Sequence, residues 1–154
     1  MAIKILAEQE KAWIEKQLNE QFGIKKIPGK IAMIGKEKLF FFTGEFEDIK
    51  IRKLEQIAPV EKIGCYFAKI IGDNIKLTIE GTQRLKEQIT TGVFEINEQQ
   101  AEEWMKGREL NLKTELRGFV AIKHNADFLG CGKASENKIT NFIPKSRRLK
   151  NREK

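Results

Sequence analysis

Residues 118–148, GFVAIKHNADFLGCGKASENKITNFIPKSRR, constrain the fold more than any other stretch of the chain. Three short apolar runs, 119–122, 128–131 and 139–143, are separated by Asn125-Ala126-Asp127 and Ser135-Glu136-Asn137. Apolar runs bounded by such clusters form consecutive antiparallel strands: the polar side chains satisfy turn backbones, and the runs need a sheet to bury them. Pro144 has no N–H to give to a ladder and marks the end of the third strand. Behind it comes a run of cations, Lys145, Arg147, Arg148, Lys150, Arg152 and Lys154.

The charge of the chain is concentrated there. Net charge over the 154 residues is +7, and residues 138–154 hold seven bases and one acid, so the preceding residues carry only about +1. A nearly neutral globule with a cationic end favours polyanions, because each neutralised phosphate releases condensed counterions. The competing readings are a disordered solubilising tail and contact with acidic lipid. No amphipathic helix or lipidation motif adjoins the run, so nucleic acid is the expected partner and a membrane is not.

A hydrophobic content of 40% with ten Phe argues for a packed core rather than disorder. The length suits one compact domain or two small ones. No apolar run approaches the roughly 18 residues of a membrane span. The opening MAIKILAEQE turns acidic too early for a signal peptide. Cys65 and Cys131 lie far apart in the sequence, which speaks against a disulfide framework and for reduced thiols in a cytoplasmic protein.

In chain order, a first helix is predicted over residues 7–22, with Ile14, Leu18 and Phe22 at four-residue spacing, Glu8 and Glu10 in its first turn and Gly23 as a left-handed cap. Trp13 fits either a stacking platform for a base or a core position beside that stripe, and the core is the expectation. Residues 30–34 and 39–43 read as a hairpin through residues 35–38. The run Leu39-Phe40-Phe41-Phe42 is too continuous for one wet face, so it is expected to be covered on both faces or to meet a partner.

A short helix is expected over 49–57, an apolar strand over 63–71, a turn at Gly72-Asp73-Asn74 and an alternating strand over 75–79, with no flexible linker to separate two units. A short helical run follows over 82–89. A second clear helix is capped by Asn97 with Gln100 in the reciprocal capping-box position, presents Ala101, Trp104 and Met105, and closes at Gly107. The mixture is α+β.

Chemistry is sparse. One His and two distant Cys make no zinc site. Cys131 sits in what reads as strand interior, so a buried inert thiol is expected rather than a Cys131–His124 catalytic pair. No Walker A sequence occurs, and Gly130-Cys131-Gly132 lacks the third glycine of a dinucleotide fingerprint. Neither a cofactor, a metal nor an enzymatic activity is expected.

The spacing GFVAI, DFLGCGK, polar turn, NFIPKSRR resembles the end of a PUA domain, the small RNA-binding pseudo-barrel, and VFEINEQQAEEWMKGREL at 93–110 resembles its first strand and helix. Similar sequences occur in archaeal pre-PUA/PUA proteins, in the eukaryotic PUA-bearing factor of large-subunit ribosome biogenesis and in PUA appendages of RNA cytosine methyltransferases. The resemblance implies a small α+β pre-PUA domain at 1–73, then a PUA-type β pseudo-barrel with one or two helices at 74–154. It implies a non-catalytic RNA-binding protein acting on rRNA or pre-ribosomal particles, in ribosome biogenesis or RNA modification. The alternative is an adaptor that brings an RNA-modifying or processing enzyme to its substrate through the amino-terminal half.

On this reading Lys145, Arg147 and Arg148 contact phosphates, with Lys138 on the same cationic segment. Lys106 and Arg108 form the other wall of the groove, and Lys123 and Lys133 line its floor. His124 and Asn141 are the candidates for reading bases. Gly130 and Gly132 either let RNA approach the backbone or mark a bend of the barrel.

Overall fold

The structure, a computed structural model, describes residues 3–42 and 64–150. The expected helix over 49–57, together with Thr43 and Ile63 at the ends of two expected strands, lies outside the described residues. Strand β1 (Ile3–Ile5) leads into α1 (Glu8–Phe22), then β2 (Lys30–Ile34), β3 (Lys38–Phe42), β4 (Cys65–Ile71) and β5 (Asn74–Leu77). These five strands form one antiparallel sheet in the order β1-β2-β3-β4-β5.

Helix α1 follows its sequence signals. Ile14, Leu18 and Phe22 are buried, and Gly23 closes the helix at φ 77°, a left-handed conformation that costs glycine nothing. Trp13 departs from expectation: it stands 39% exposed, because one residue before Ile14 it is turned about 100° away from the buried stripe.

The 39–42 run is buried on both faces. Leu39 and Phe41 pack toward α1, while Phe40 and Phe42 pack with Ala32 and Ile34 on the opposite face. The continuity of that run therefore reflects double-sided burial, and the expected partner surface is not exposed there. The alternation of residues 75–79 stops earlier than it reads. Ile75 and Leu77 point inward, but Ile79 is the first residue of α2 (Ile79–Arg84), and Thr78 caps it by accepting a hydrogen bond from the Gly81 N–H at 2.9 Å. The helix expected over 82–89 thus begins and ends earlier.

The remaining elements are β6 (Val93–Glu95), α3 (Glu98–Met105), β7 (Gly118–His124), β8 (Asp127–Ala134), β9 (Ile139–Asn141) and a 3-10 turn (Lys145–Arg147). They give a second sheet in the order β6-β7-β8-β9, with β6 parallel to β7 and the other pairs antiparallel, extended by a bridge between Leu110 and Ile139. The three strands read from residues 118–148 are all present. The last is shorter than expected, since the Asn141 side chain takes the Ile143 N–H at 2.8 Å and draws the chain out of the ladder.

This second sheet is buried on both sides. Phe119 and Ala121 face the core shared with α1 and the first sheet, while Val120 and Ile122 face Trp104 of α3. On β8, Phe128 and Cys131 both point into the shared core although three residues apart, because a bulge inserts one residue between them. Gly130 carries that bulge at φ 83°.

The architecture is α+β, and the two sheets are locked together. Gln21 of α1 exchanges two hydrogen bonds with the backbone of Ile75, covering the edge of β5. Thr82 of α2 accepts the Gly130 N–H at 3.2 Å. Thr90 and Thr91 donate to the Phe22 carbonyl at the end of α1. The division drawn at 73/74 falls inside the β4–β5 hairpin, and the chain passes from one sheet to the other over residues 78–92. With one apolar core across both sheets, urea unfolding is expected to give coincident transitions by circular dichroism and by Trp fluorescence. Two separated transitions, or two stable halves released by limited proteolysis, would contradict the shared core.

Candidate nucleic-acid interface

The candidate interface lies around the end of α3. Asn97 and Gln100 cap the start of that helix reciprocally at 2.8 and 2.9 Å. Its buried face is anchored by Trp104, whose indole N–H donates to the Leu129 carbonyl at 2.9 Å. At the far end, unpaired carbonyls need partners, and distant parts of the chain supply them. Asn141 Nδ2 donates to the carbonyls of Trp104 and Arg108 at 2.8 and 3.0 Å, and the Leu149 N–H donates to Met105 at 2.7 Å. Arg148 Nε donates to the Ile143 carbonyl at 2.9 Å, and the guanidinium lies against Gly107, where a Cβ would come within 2.7 Å of Arg148 Cζ.

These contacts bring Lys106, Arg108, Lys138 and Arg148 to one edge, with Lys145 and Arg147 in the adjoining 3-10 turn. The segment through Leu149 is docked on the fold and does not trail as a free tail. The edge is a mosaic of charges: Lys106 pairs with Glu102 at 3.4 Å, Lys138 with Glu109 at 3.4 Å, and Arg108 Nη1 reaches both Glu103 oxygens at 2.8 and 2.7 Å. Arg147 pairs with Glu80 at the start of α2. Each pair has at least one partner open to solvent, Lys106 being the most covered of the cations, and such pairs are weak and screened, so a phosphate can displace the carboxylates.

Other expected site residues lie elsewhere. Lys123 and His124 are at the β7–β8 hairpin tip, where His124 pairs in register with Asp127. That tip is about five residues along β8 from Lys133, roughly 16 Å, so Lys123 and Lys133 do not share one groove floor. Lys133 is exposed on β8, with Nζ 5.8 Å from the Phe119 ring centre.

The Asn141 amide is committed to the carbonyls of Trp104 and Arg108 and to the Ile143 N–H, which leaves it little capacity for a base. Gly130 and Gly132 serve packing, the first in the bulge and the second beneath Trp104, where a Cβ would sit 2.7 Å from the indole. Cys131 is buried, and burial pushes its thiol up to about 12. In register it opposes Ala121, remote from His124 at the hairpin end.

The sequence reading missed a cleft of about 280 Å³ beside this edge. Its walls are β5 and the start of α2 on one side and residues 142–147 on the other, with Gly130 and Cys131 as floor. Lys76 Nζ lies 4.5 Å from the Phe142 ring centre, and Phe142 in turn packs against Phe119 at 6.0 Å. In the sequence Lys76 was only the polar member of an alternating strand, and no local signal ties it to Phe142.

The family model for the PUA domain of methyltransferase RsmF matches residues 91–149. The ribosomal RNA small subunit methyltransferase F of Shewanella oneidensis is 27% identical over 134 residues, which cover 86% of this chain and 27% of that protein. The chain thus spans about a quarter of the length of this curated relative. In three dimensions the chain is similar to the crystal structure of a hypothetical protein from Pyrococcus horikoshii OT3, with a TM-score of 0.55 at 12% identity, covering 91% of this chain and 93% of that one. The second sheet, α3 and the docked basic turn, residues 91–149, are a PUA-type domain.

Proposed function

We propose that the chain is an RNA-binding module that recognises ribosomal RNA, or a precursor of it, through the edge formed by the end of α3, β9 and the 3-10 turn. One observation carries the reading: Lys106, Arg108, Lys138, Lys145 and Arg148, scattered over 43 positions of sequence, are gathered at one edge of a PUA-type domain by Asn141 and by the docking of Leu149. The similarity to a small-subunit rRNA methyltransferase supports rRNA as the class of target. In this reading the chain contributes binding and placement and no chemistry, which fits a Cys131 thiol held protonated by burial.

Binding by such an edge is electrostatic first. With a fluorescent structured rRNA fragment, log affinity is expected to fall linearly with log salt, with a slope of roughly −2 to −4 for three to five neutralised phosphates. A slope near zero, or no binding at low salt, overturns the reading. The adaptor alternative is favoured by one observation. Trp13 is exposed beside a depression lined by Leu6, Ile14, Met33 and Ile70 with Glu10 as its one charged member, the kind of aromatic anchor that protein partners use.

A further inference from the structure

The cleft between β5 and residues 142–147 has features the basic edge lacks. Its lining is mostly apolar, from Leu77, Cys131, Phe142 and Ile143, yet two cations stand at it, Lys76 and Arg147. Lys76 is held half-buried over the Phe142 ring, and burial, with the nearby Lys69 charge, lowers its pKa. A cation so placed gains from an arriving anion. Arg147, the second cation, belongs to the same 3-10 turn as Lys145, so the cleft is continuous with the proposed RNA edge. Thr78, Ser146 and the Glu80 carboxylate add polar groups to the walls, and Tyr66 lines them as well.

We propose that this cleft takes one unstacked nucleotide of the bound RNA, its base packed against Phe142 and the Gly130–Cys131 floor and its phosphate held by Lys76 and Arg147. The inference rests on the RNA-binding reading above and adds to it the place where a base leaves the stack. A volume of about 280 Å³ lies just below the range of pockets for drug-sized ligands and suits a base with its sugar. Single-stranded RNA is recognised in this way, by apolar and aromatic contact with splayed bases next to cations that follow the backbone. Glu80, which also lines the cleft, pairs with Arg147 in the free protein, and the incoming phosphate takes its place.

The test is a titration of the full chain with nucleoside monophosphates, followed by amide NMR, with inorganic phosphate and an acidic peptide as parallel arms. Thr78, Gly130, Cys131 and Phe142 amides are expected to shift with nucleotide and not with phosphate alone. Lys76→Met keeps the aliphatic stem over Phe142 and removes the charge. It should weaken both the nucleotide response and RNA affinity about tenfold, while the spectrum of the free protein changes only around Lys76 and Phe142. Phe142→Leu, checked for an unchanged Tm within a few degrees, should do the same.

Equal responses to phosphate and nucleotide, or a cleft that responds to the acidic peptide and to no nucleotide, overturn the proposal. If RNA binds with a steep salt slope while the cleft amides stay still and Lys76→Met binds as the parent does, this inference fails and the RNA reading stands. If no RNA binds, both fail together.

Discussion

Trp104→Ala is expected to lower stability by about 4–6 kcal/mol, a large part of the roughly 5–15 kcal/mol that holds a domain of this kind folded. Trp104 is fully buried and packs with Val120, Ile122, Ile139 and Ile143. Truncation to Ala removes a bulky side chain from that cluster and leaves a cavity, the mechanism behind losses of about 3–5 kcal/mol on its own. It also deprives the half-buried Leu129 carbonyl of the indole N–H at 2.9 Å, which at the low end of the cost of an unpaired acceptor adds about 1 kcal/mol.

Gly132 sharpens the expectation, since its missing side chain is the space the indole occupies. No neighbour can swing in from that direction, because β8 backbone lies there. Trp104→Phe keeps an aromatic ring and loses the hydrogen bond, and should cost less. Trp13→Ala is the matched control, a Trp on the other long helix that is 39% exposed, with a change expected within about 1 kcal/mol. Urea denaturation with unchanged m-values measures all three. A Trp104→Ala protein as stable as the Trp13→Ala protein would sink the assignment of the second core.

That pair of tryptophans shows how far the sequence could be read. Both sit on helices beside apolar residues, and the sequence reading assigned both to the core. For Trp104 the expectation held, because Ala101 and Trp104, three residues apart, share one face. For Trp13 it failed on an offset of one residue from Ile14, which turns the indole off the buried stripe. Local signals were legible throughout: the Gly23 cap, the Asn97–Gln100 box and the hairpin turns all rest on residues a few positions apart. Thr78 was a local signal overlooked, a threonine three residues before Gly81 that ends a strand and starts a helix.

The candidate site was legible in composition but not in arrangement. Cations near residues 106–108 and 138–148 were visible, and their meeting was implied by the resemblance to a PUA domain. What holds them together was hidden, since Asn141 acts on carbonyls 33 and 37 residues away in the chain. The same holds for the cleft, where Lys76 on β5 meets Phe142 from the far end of the second sheet. Arg147 and Arg148 read as interchangeable with Lys145, yet one bridges to Glu80 and the other closes over Gly107.

That distinction decides how the proposed RNA edge should be tested. Removing Arg148 would disturb Ile143 and the turn itself, so lost binding would be ambiguous. Lys106, Lys138 and Lys145 carry charge to the same edge with lighter structural duties, the first two in ion pairs at 3.4 Å and the third exposed in the 3-10 turn. Replacing all three with Gln keeps the stems and deletes three phosphate contacts. At about 0.7 per phosphate, the log–log salt slope should flatten by roughly 2, and affinity at 0.1 M salt should fall about a hundredfold. The loss should be uniform across unrelated RNA sequences, because phosphates carry no sequence information. Stability should stay within about 1 kcal/mol of the parent, because solvent-screened ion pairs contribute little and Gln keeps the half-buried Lys106 stem in place. Lys16, Lys25 and Lys36, exposed lysines of the first unit, lose the same charge when changed to Gln and serve as the control. If that control loses affinity equally, binding follows net charge and the edge is not the site; if only the edge variant weakens and its slope flattens, the phosphates lie where Asn141 has gathered the cations.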